Sequence, residues 1–116
     1  MEQQSAEKIT LATYRDVRNR FYDAGDTVFG PGVLSMTEYY FIKKTGCNPF
    51  AMLFSEPRVV YDEWVNMFKG EEMVRKLVEK AVGQCYMTLL DNIKKNDGLR
   101  VWSALHSLSS GTTVAQ

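Results

Sequence analysis

The segment Glu71–Lys95 constrains the fold most, because its pattern predicts one long helix with an unusually wide apolar side. At about 100° per residue, its apolar side chains cover roughly two thirds of the helix circumference. The polar remainder is a strip of Lys76, Lys80, Asp91 and Lys94. A surface helix needs only a narrower apolar stripe. We therefore expect this helix to be covered on more than one side, by other helices of the chain, by a second subunit, or by both.

Glycine and capping residues divide the rest of the chain into shorter helical segments. Apolar periodicity predicts helices over 5–23, 33–44, 58–68 and 99–108, and a short helical turn over 50–54. Ser5 is the expected N-cap of the first helix, and Gly25 is its expected stop because glycine tolerates the left-handed conformation that ends a helix. The glycine-rich segment 25–32 is predicted to be a loop. Gly46 is expected to end the helix over 33–44, and Gly70 is expected to end the helix that precedes the central one.

The segment 33–44 is the one whose pattern fits two kinds of secondary structure. Tyr39, Tyr40 and the apolar residues that follow them favour a β-strand. A helix is preferred because the segment also contains good helix formers, and because Lys43 and Lys44 fall where the helix dipole favours cations.

Together these segments predict an all-α fold, a compact orthogonal bundle of four to five helices around a long central helix at 71–95. A chain of 116 residues fits one domain. We place this domain at 1–110 and expect a disordered tail over 111–116. Trp64 is the expected anchor of the core, because aromatic residues at helical spacing are usually buried. Whether the last helix packs on the core is left open.

The charge balance and the hydropathy pattern argue against some partners. Fourteen basic and fourteen acidic residues give a formal net charge of zero. Because phosphate neutralisation supplies most of the affinity of a general nucleic-acid binder, we do not expect nucleic acid as a partner. The N-terminal residues lack the apolar core of a signal peptide, and no stretch has the apolar length of a membrane span. We therefore expect a cytoplasmic protein that does not contact a membrane.

The residues that catalysis or metal binding would need are few. The two cysteines, Cys47 and Cys85, are too far apart in sequence for a metal knuckle, and the only histidine is His106. Cys85 falls in the apolar arc of the central helix, which predicts a buried, inert thiol. Cys47 precedes the Asn48 cap, a setting that can lower a thiol pKa, but the sequence shows no base to orient it. We expect no catalytic residues, no cofactor and no metal, and hence a protein that is not an enzyme.

The aromatic residues carry most of the information about function. Aromatic side chains at helical spacing are usually core, but they can also line a ligand cavity or a protein interface. The candidate surface residues are Tyr39, Tyr40, Tyr61, Trp64, Phe68, Tyr86 and Leu90. The first hypothesis is a non-enzymatic interaction or signalling-output module that uses an apolar helical surface, as a homodimer or other homo-oligomer or with another protein. The alternative is a small helical domain that binds an apolar ligand in an aromatic-lined cavity.

Residues from about Gly30 to Val82 carry a likeness to a known family. The features are the glycines before 33–44, the Tyr39–Tyr40 pair, Gly46, Pro57 and the segment Met67–Lys80, MFKGEEMVRKLVEK. In these features the chain resembles the Nitrosopumilus output domain, a family of small helical archaeal domains. It departs from the phenylalanine-glycine turn of that family by inserting Lys69 between Phe68 and Gly70. The resemblance implies a non-catalytic output or interaction module in signalling, with no ligand or catalytic residues to carry over.

Overall fold

Helices form the regular structure of this chain wherever it is described. The computed structural model describes the backbone of residues 2–114 and the side chains of residues 11–108. The elements in chain order are α1 (Glu2–Val28), α2 (Val33–Thr45), α3 (Pro49–Met52), α4 (Pro57–Phe68), α5 (Glu71–Val82), a 3-10 turn (Gly83–Cys85), α6 (Tyr86–Lys94) and α7 (Gly98–Val114). No strand occurs within these residues, so the all-α prediction is confirmed and the segment 33–44 is helical.

Helix α5 is the centre of the bundle. It packs against α1, α4 and α6, while α7 packs against α1 and α6, and α2 lies on α1 and α3. The last helix therefore does pack on the core, to which it contributes the buried Val101 and Leu105. Helix α7 continues to Val114, into the segment that was predicted to be a tail. Ala115 and Gln116 lie outside the described residues.

The prediction of one continuous helix over 71–95 is wrong, because the helix is broken in the middle. Gly83 ends α5 with φ 76° and ψ −137°, a conformation that residues with a side chain rarely adopt. A 3-10 turn follows, and α6 begins at Tyr86 and packs against α5. The described part of the chain therefore contains six helices of nine or more residues where four to five were predicted. The break also turns Cys85 to the surface, so the prediction of a buried thiol there is wrong.

Helix α1 extends beyond both of its predicted ends and contains Gly25 in its interior. The predicted stop at this glycine is wrong, because the residue serves close packing between helices. A Cβ atom on Gly25 would lie 2.9 Å from the Cβ of Leu34 on α2. The predicted loop over 25–32 is thus shortened to the residues between α1 and α2. The side chain of Ser5, the predicted N-cap, lies outside the described residues.

Two predictions of helix ends are confirmed. Gly46 ends α2 with φ 83°, and its N–H donates to the carbonyl oxygen of Ile42 at 2.8 Å. Asn48 caps the single turn α3, since its side-chain oxygen accepts a hydrogen bond from the N–H of Phe50 at 2.8 Å. Both signals act over a few residues and do not depend on the rest of the fold.

The turn between α4 and α5 differs from the predicted one. The residue that ends α4 is Lys69, in the left-handed conformation with φ 60°, and not Gly70. Its N–H donates to the carbonyl oxygen of Val65 in the usual arrangement of a helix C-terminus. A lysine in this conformation carries the steric cost that a glycine would avoid.

Aromatic rings fill the centre of the bundle. Trp64 is 1% exposed, which confirms it as an anchor of the core. Its ring centroid lies 5.6 Å from that of Phe21 and 6.1 Å from that of Phe50. The residues that α5 and α6 bury around these rings include Val74, Leu77, Val78, Leu89 and Ile93. Because the three rings contact one another directly, this part of the interior is filled rather than hollow.

Candidate functional site

Four large apolar side chains of helix α2 are exposed to solvent. Met36 is 60% exposed, Tyr39 59%, Tyr40 53% and Ile42 42%, and we call these four residues the α2 patch. With about 200 Å² for each complete side chain, the patch exposes roughly 400 Å² of mainly apolar surface. An apolar patch of this size on a monomer is often functional.

The patch arises because apolar residues lie almost all the way round α2. Leu34 and Phe41 face inwards and are buried against the bundle. Helix α2 packs only on α1 and α3 to a substantial extent, so the side chains on its far side have no covering element. A helix that is apolar all round and covered on one side must leave apolar surface exposed.

A groove runs beside the patch, between α2 and α4. Its apolar part has a volume of about 450 Å³ and is lined by Pro31, Gly32, Val33, Met36, Thr37, Tyr40 and Met67. A second depression of about 300 Å³ is also lined by Tyr40 and Met67, and it extends to Lys43, Lys44, Glu63 and Asn66. Because Tyr40 and Met67 line both depressions, the two lie next to each other along α2, and we call them together the α2–α4 groove.

Charged side chains occupy one end of this groove. Lys44 Nζ lies 3.0 Å from Glu63 Oε1, which joins α2 to α4. Lys43 Nζ lies 5.9 Å from the centroid of the Tyr39 ring. The rings of Tyr39 and Tyr40 meet edge to face, with their centroids 5.4 Å apart. The groove is therefore apolar at its Pro31 end and carries a lysine beside two aromatic rings at the other.

A buried carboxylate fixes α2 beneath the patch. Glu38 is 7% exposed, and its two carboxylate oxygens accept hydrogen bonds from Arg18 Nη2 at 3.0 Å and from Arg18 Nε at 3.1 Å. Asn48 Nδ2 donates to Glu38 Oε2 at 2.7 Å, and the hydroxyl of Tyr22 donates to Glu38 Oε1. One carboxylate thus ties together α1, α2 and the residue that caps α3. Charge-assisted bonds of this kind are the stronger hydrogen bonds in proteins.

The pKa of Glu38 reflects two opposing effects. Burial acts to raise this pKa because it disfavours the charged form. The hydrogen bonds from Arg18, Tyr22 and Asn48, together with the positive charge of Arg18, outweigh burial and hold the pKa below its ordinary value. Burial and the same carboxylate raise the pKa of the Tyr22 hydroxyl. Glu38 is therefore charged at neutral pH, as its role in holding α2 requires.

Some of the predicted surface residues are exposed in the structure, and others are buried. Tyr39 and Tyr40 are exposed and belong to the α2 patch. Trp64, Tyr61 and Leu90 are buried, at 1%, 5% and 8% exposure, so their assignment to a surface is wrong. The reason is that the apolar faces of α4 and α6 pack against α5 and against each other, which leaves these side chains in the core.

Two further predicted surface residues, Phe68 and Tyr86, are half-buried. The ring of Phe68 stacks on that of Phe29, with centroids 4.3 Å apart, so it closes the bundle near the end of α1. Tyr86 is the first residue of α6 and packs against the core. Neither of these side chains lines the α2–α4 groove as described above.

Tyr61 joins α4 to the two helices that follow it. Its hydroxyl donates to Glu71 Oε1 at the start of α5. Lys94 Nζ and Arg58 Cζ lie 5.4 Å and 5.6 Å from the centroid of its ring. Burial and the hydrogen bond to Glu71 raise the pKa of Tyr61 to about 12.

Met36, Ile42 and Met67 belong to the site but are not among the surface residues that the sequence predicts. The available signal was the apolar circumference of α2, which exceeds what one packing face can cover. The wide apolar side of the segment 71–95 gives a stronger signal of the same kind, and the exposed apolar surface is therefore expected there. The break at Gly83 lets α5 and α6 bury most of that surface inside the bundle.

The remaining candidates for chemistry lie apart from the groove lining. Cys47 is exposed, and its N–H donates to Thr45 Oγ1 at 3.2 Å. His106 Nδ1 lies 2.8 Å from Thr13 Oγ1, and its ring stacks on Trp102 with centroids 4.5 Å apart. Among the side chains that are described, no group of three or more histidine, cysteine, aspartate or glutamate residues could hold a metal ion.

The described helices do not include one that is both long enough and apolar enough to cross a bilayer.

Comparison with known proteins adds no relative. No protein-family model matches the chain, and neither a curated protein sequence nor a solved structure is similar to it. The resemblance to the Nitrosopumilus output domain therefore stays a prediction. Any function has to be argued from the site itself.

Proposed function

We propose that this protein is a non-enzymatic interaction module that docks a protein partner on the α2 patch and in the α2–α4 groove. The observation that carries the proposal is the exposure of Met36, Tyr39, Tyr40 and Ile42 along one helix. Tyrosine is enriched among the residues that dominate binding energy at interfaces. Methionine is unbranched and polarizable, so it adapts to the shape of a partner.

The size of the patch is consistent with a protein partner. A standard interface covers about 800 Å² on each partner, and a little more than half of that area is apolar. The roughly 400 Å² of the α2 patch is close to this apolar share. Lys43 and Asn66 border the groove and can supply part of a polar rim.

The support beneath the patch favours binding without rearrangement. Glu38 lies on the inner face of the helix that carries the patch, and it is bonded to Arg18, Tyr22 and Asn48. A helix held in this way has little freedom to lose when a partner binds. Preorganisation of this kind improves affinity by lowering the entropic cost of association.

The wider role that we propose is that of an output module in signalling, acting in the cytoplasm. This part of the proposal rests on the resemblance carried by the Tyr39–Tyr40 pair and the segment 67–80. Docking on the α2 patch would then be the step that passes the signal to a partner.

Selection from an unbiased library of displayed peptides tests the docking surface. The full chain is the bait, and each recovered peptide is measured against Met36→Ser and against Met87→Ser. Met87 is a matched control, because it is also a methionine and is 68% exposed, on α6. We expect Met36→Ser to weaken binding by about tenfold and Met87→Ser to leave it unchanged. Peptides that respond only to Met87→Ser, or to neither variant, would contradict the proposal.

A second candidate function is the binding of a small apolar ligand in the groove. The apolar part of the groove, about 450 Å³, falls in the size range of ligand sites. Native mass spectrometry of the purified protein tests this function. A retained small molecule that is lost in a Met67→Ser variant would support it, and the absence of any bound mass would count against it.

A further inference from the structure

We infer that the occupant of the α2–α4 groove is an amphipathic helix of another protein, with acidic residues in its first turn, bound antiparallel to α2. This inference rests on the proposed function and adds the chemistry of the partner. It follows from the charge at the Lys43 end of the groove, from the length of the groove and from the helices that form its walls.

The charges around α2 favour an acidic partner. Glu38, the only carboxylate in α2, is buried and bonded to Arg18. The carboxylate across the groove, Glu63, is held by Lys44. Lys43 is exposed beside the ring of Tyr39 and has no carboxylate partner among the described contacts. The docking surface therefore presents a positive charge next to two aromatic rings.

In a symmetric pairing of two α2 helices, the α2 helix of the second copy brings no carboxylate to Lys43. If two copies of α2 were antiparallel, Lys43 would approach the first turn of the other α2, which contains no acidic residue. If they were parallel, the two copies of Lys43 would face each other. The antiparallel arrangement thus places a helix N-terminus, which carries partial positive charge, against the lysine. The parallel arrangement places two like charges together, which is also unfavourable. The charge pattern therefore favours a different protein as the occupant.

The dimensions of the groove favour a helix. Its walls are two helices, and α2 has 13 residues, which correspond to a length of roughly 20 Å. A helix laid in such a groove presents apolar residues at positions i, i+3 or i+4, and i+7. Three such anchors span about 11 Å and fit against Met36, Tyr40 and Met67.

The helix dipole sets the direction. In the antiparallel arrangement the N-terminus of the partner helix lies at the Lys43 end of the groove. Acidic residues in the first turn of a helix are favourable in themselves, and here they also meet a lysine. The parallel arrangement would put the C-terminus of the partner helix at this end.

A membrane surface is a weaker match for the same patch. Attraction to anionic lipid usually requires a cluster of four to eight basic residues, whereas α2 contributes Lys43 and Lys44, of which Lys44 is paired. Sedimentation with phosphatidylserine vesicles separates the two classes of partner. Binding of the protein to these vesicles that Tyr40→Ser abolishes would overturn the inference.

The decisive test is charge reversal across the groove. In the selected peptides whose binding is weakened by Met36→Ser, we expect acidic residues followed by apolar residues at helical spacing. Replacing the acidic residues with lysine should weaken binding to the protein by about tenfold, and Lys43→Glu should restore the binding of that lysine-substituted peptide. Lys80→Glu, on α5, is the matched control and should restore nothing.

The possible outcomes separate the inference from the proposed function. If no peptide responds to Met36→Ser, the proposed function fails. If peptides respond but carry no acidic pattern, or ignore Lys43→Glu, the docking surface stands and the acidic helix is wrong. A stable dimer in light scattering that Met36→Ser disrupts would replace the acidic helix with a second copy of the chain.

Discussion

Gly25 lies directly against Leu34, so closely that a Cβ atom added to the glycine would come within 2.9 Å of the leucine Cβ and 3.1 Å of its Cδ2. This contact sets how near α2 lies to α1, and thus how the outer face of α2 is presented.

Substituting Gly25 tests the close approach of the two helices. Alanine normally stabilises a helix relative to glycine by about 1 kcal/mol. Here the steric conflict costs roughly 1 to 3 kcal/mol, so we expect Gly25→Ala to lower the free energy of unfolding and Gly25→Val to lower it further. Urea denaturation measures both changes. Asn19→Ala, at an exposed position of α1, is the control and should be neutral or slightly stabilising. A Gly25→Ala variant that is more stable than the unmodified protein, by the roughly 1 kcal/mol expected in an unhindered helix, would show that the two helices do not meet closely at this position.

Glu38→Gln tests the buried carboxylate that holds α2. We expect a loss of roughly 1 to 3 kcal/mol at pH 7, less than for a fully buried pair because the Arg18 side chain is 39% exposed. Because the pKa of Glu38 is lowered in the folded state, its contribution is present above the unfolded pKa of about 4.3 and is lost as the pH falls through the folded pKa.

Urea denaturation at pH 7 and pH 3 checks this pH dependence. The difference in stability between the unmodified protein and Glu38→Gln should be large at pH 7 and should shrink at pH 3. Glu72→Gln removes an exposed carboxylate paired with Arg75 and should change stability little. An equal difference at both pH values would show that the charge of Glu38 is not what stabilises the contact.

Tyr61 provides a test at alkaline pH. Its pKa of about 12 lies above the value of about 10 for an unfolded chain. The neutral hydroxyl therefore makes its full contribution to the free energy of unfolding below pH 10, and this contribution is lost as the pH rises towards 12. Titration of the phenolate absorbance should show a step near pH 12 that Tyr61→Phe removes and that Tyr39→Phe leaves in place. Ionisation of Tyr61 near pH 10 would contradict both the burial of its hydroxyl and the hydrogen bond to Glu71.

Lys69 and Asn96 both adopt the left-handed backbone conformation, and comparing substitutions at the two positions tests its steric cost. Both have φ near 60°, but Asn96 Oδ1 accepts a hydrogen bond from the N–H of Arg58 at 3.1 Å, whereas the exposed Lys69 side chain makes no described hydrogen bond. We expect Lys69→Gly to stabilise the protein by roughly 0.5 kcal/mol, through relief of the steric cost at positive φ. Asn96→Gly loses its hydrogen bond and should not stabilise. Thermal unfolding of both variants compares the two, and equal effects would contradict this account.

The features that the sequence predicts correctly are those that depend on neighbouring residues. Gly46 ends a helix and Asn48 caps one through contacts within a few positions. The sequence does not reveal the roles of Gly25 and Gly83, because these roles depend on how the helices are arranged in the bundle. Gly25 lies inside a helix against Leu34, and Gly83 breaks a helix that periodicity alone would continue.

The same distinction applies to the site. The tyrosine pair at Tyr39 and Tyr40 was among the candidates, but Tyr61 and Trp64 have equally apolar surroundings in sequence and are buried. Exposure is a property of the assembled bundle. The bond between Glu38 and Arg18, twenty positions apart, likewise becomes visible only when α1 and α2 are placed side by side.

Mapping of amide chemical shifts by NMR tests the docking surface most directly, with a peptide selected on the full chain as the titrant. We expect shifts along α2, from Val33 to Thr45, and on the facing part of α4 near Glu63 and Met67. Amides around Leu99 on α7, another exposed apolar position, should not move. Shifts centred on α7, with α2 unaffected, would show that this protein does not bind its partner on the outer face of α2.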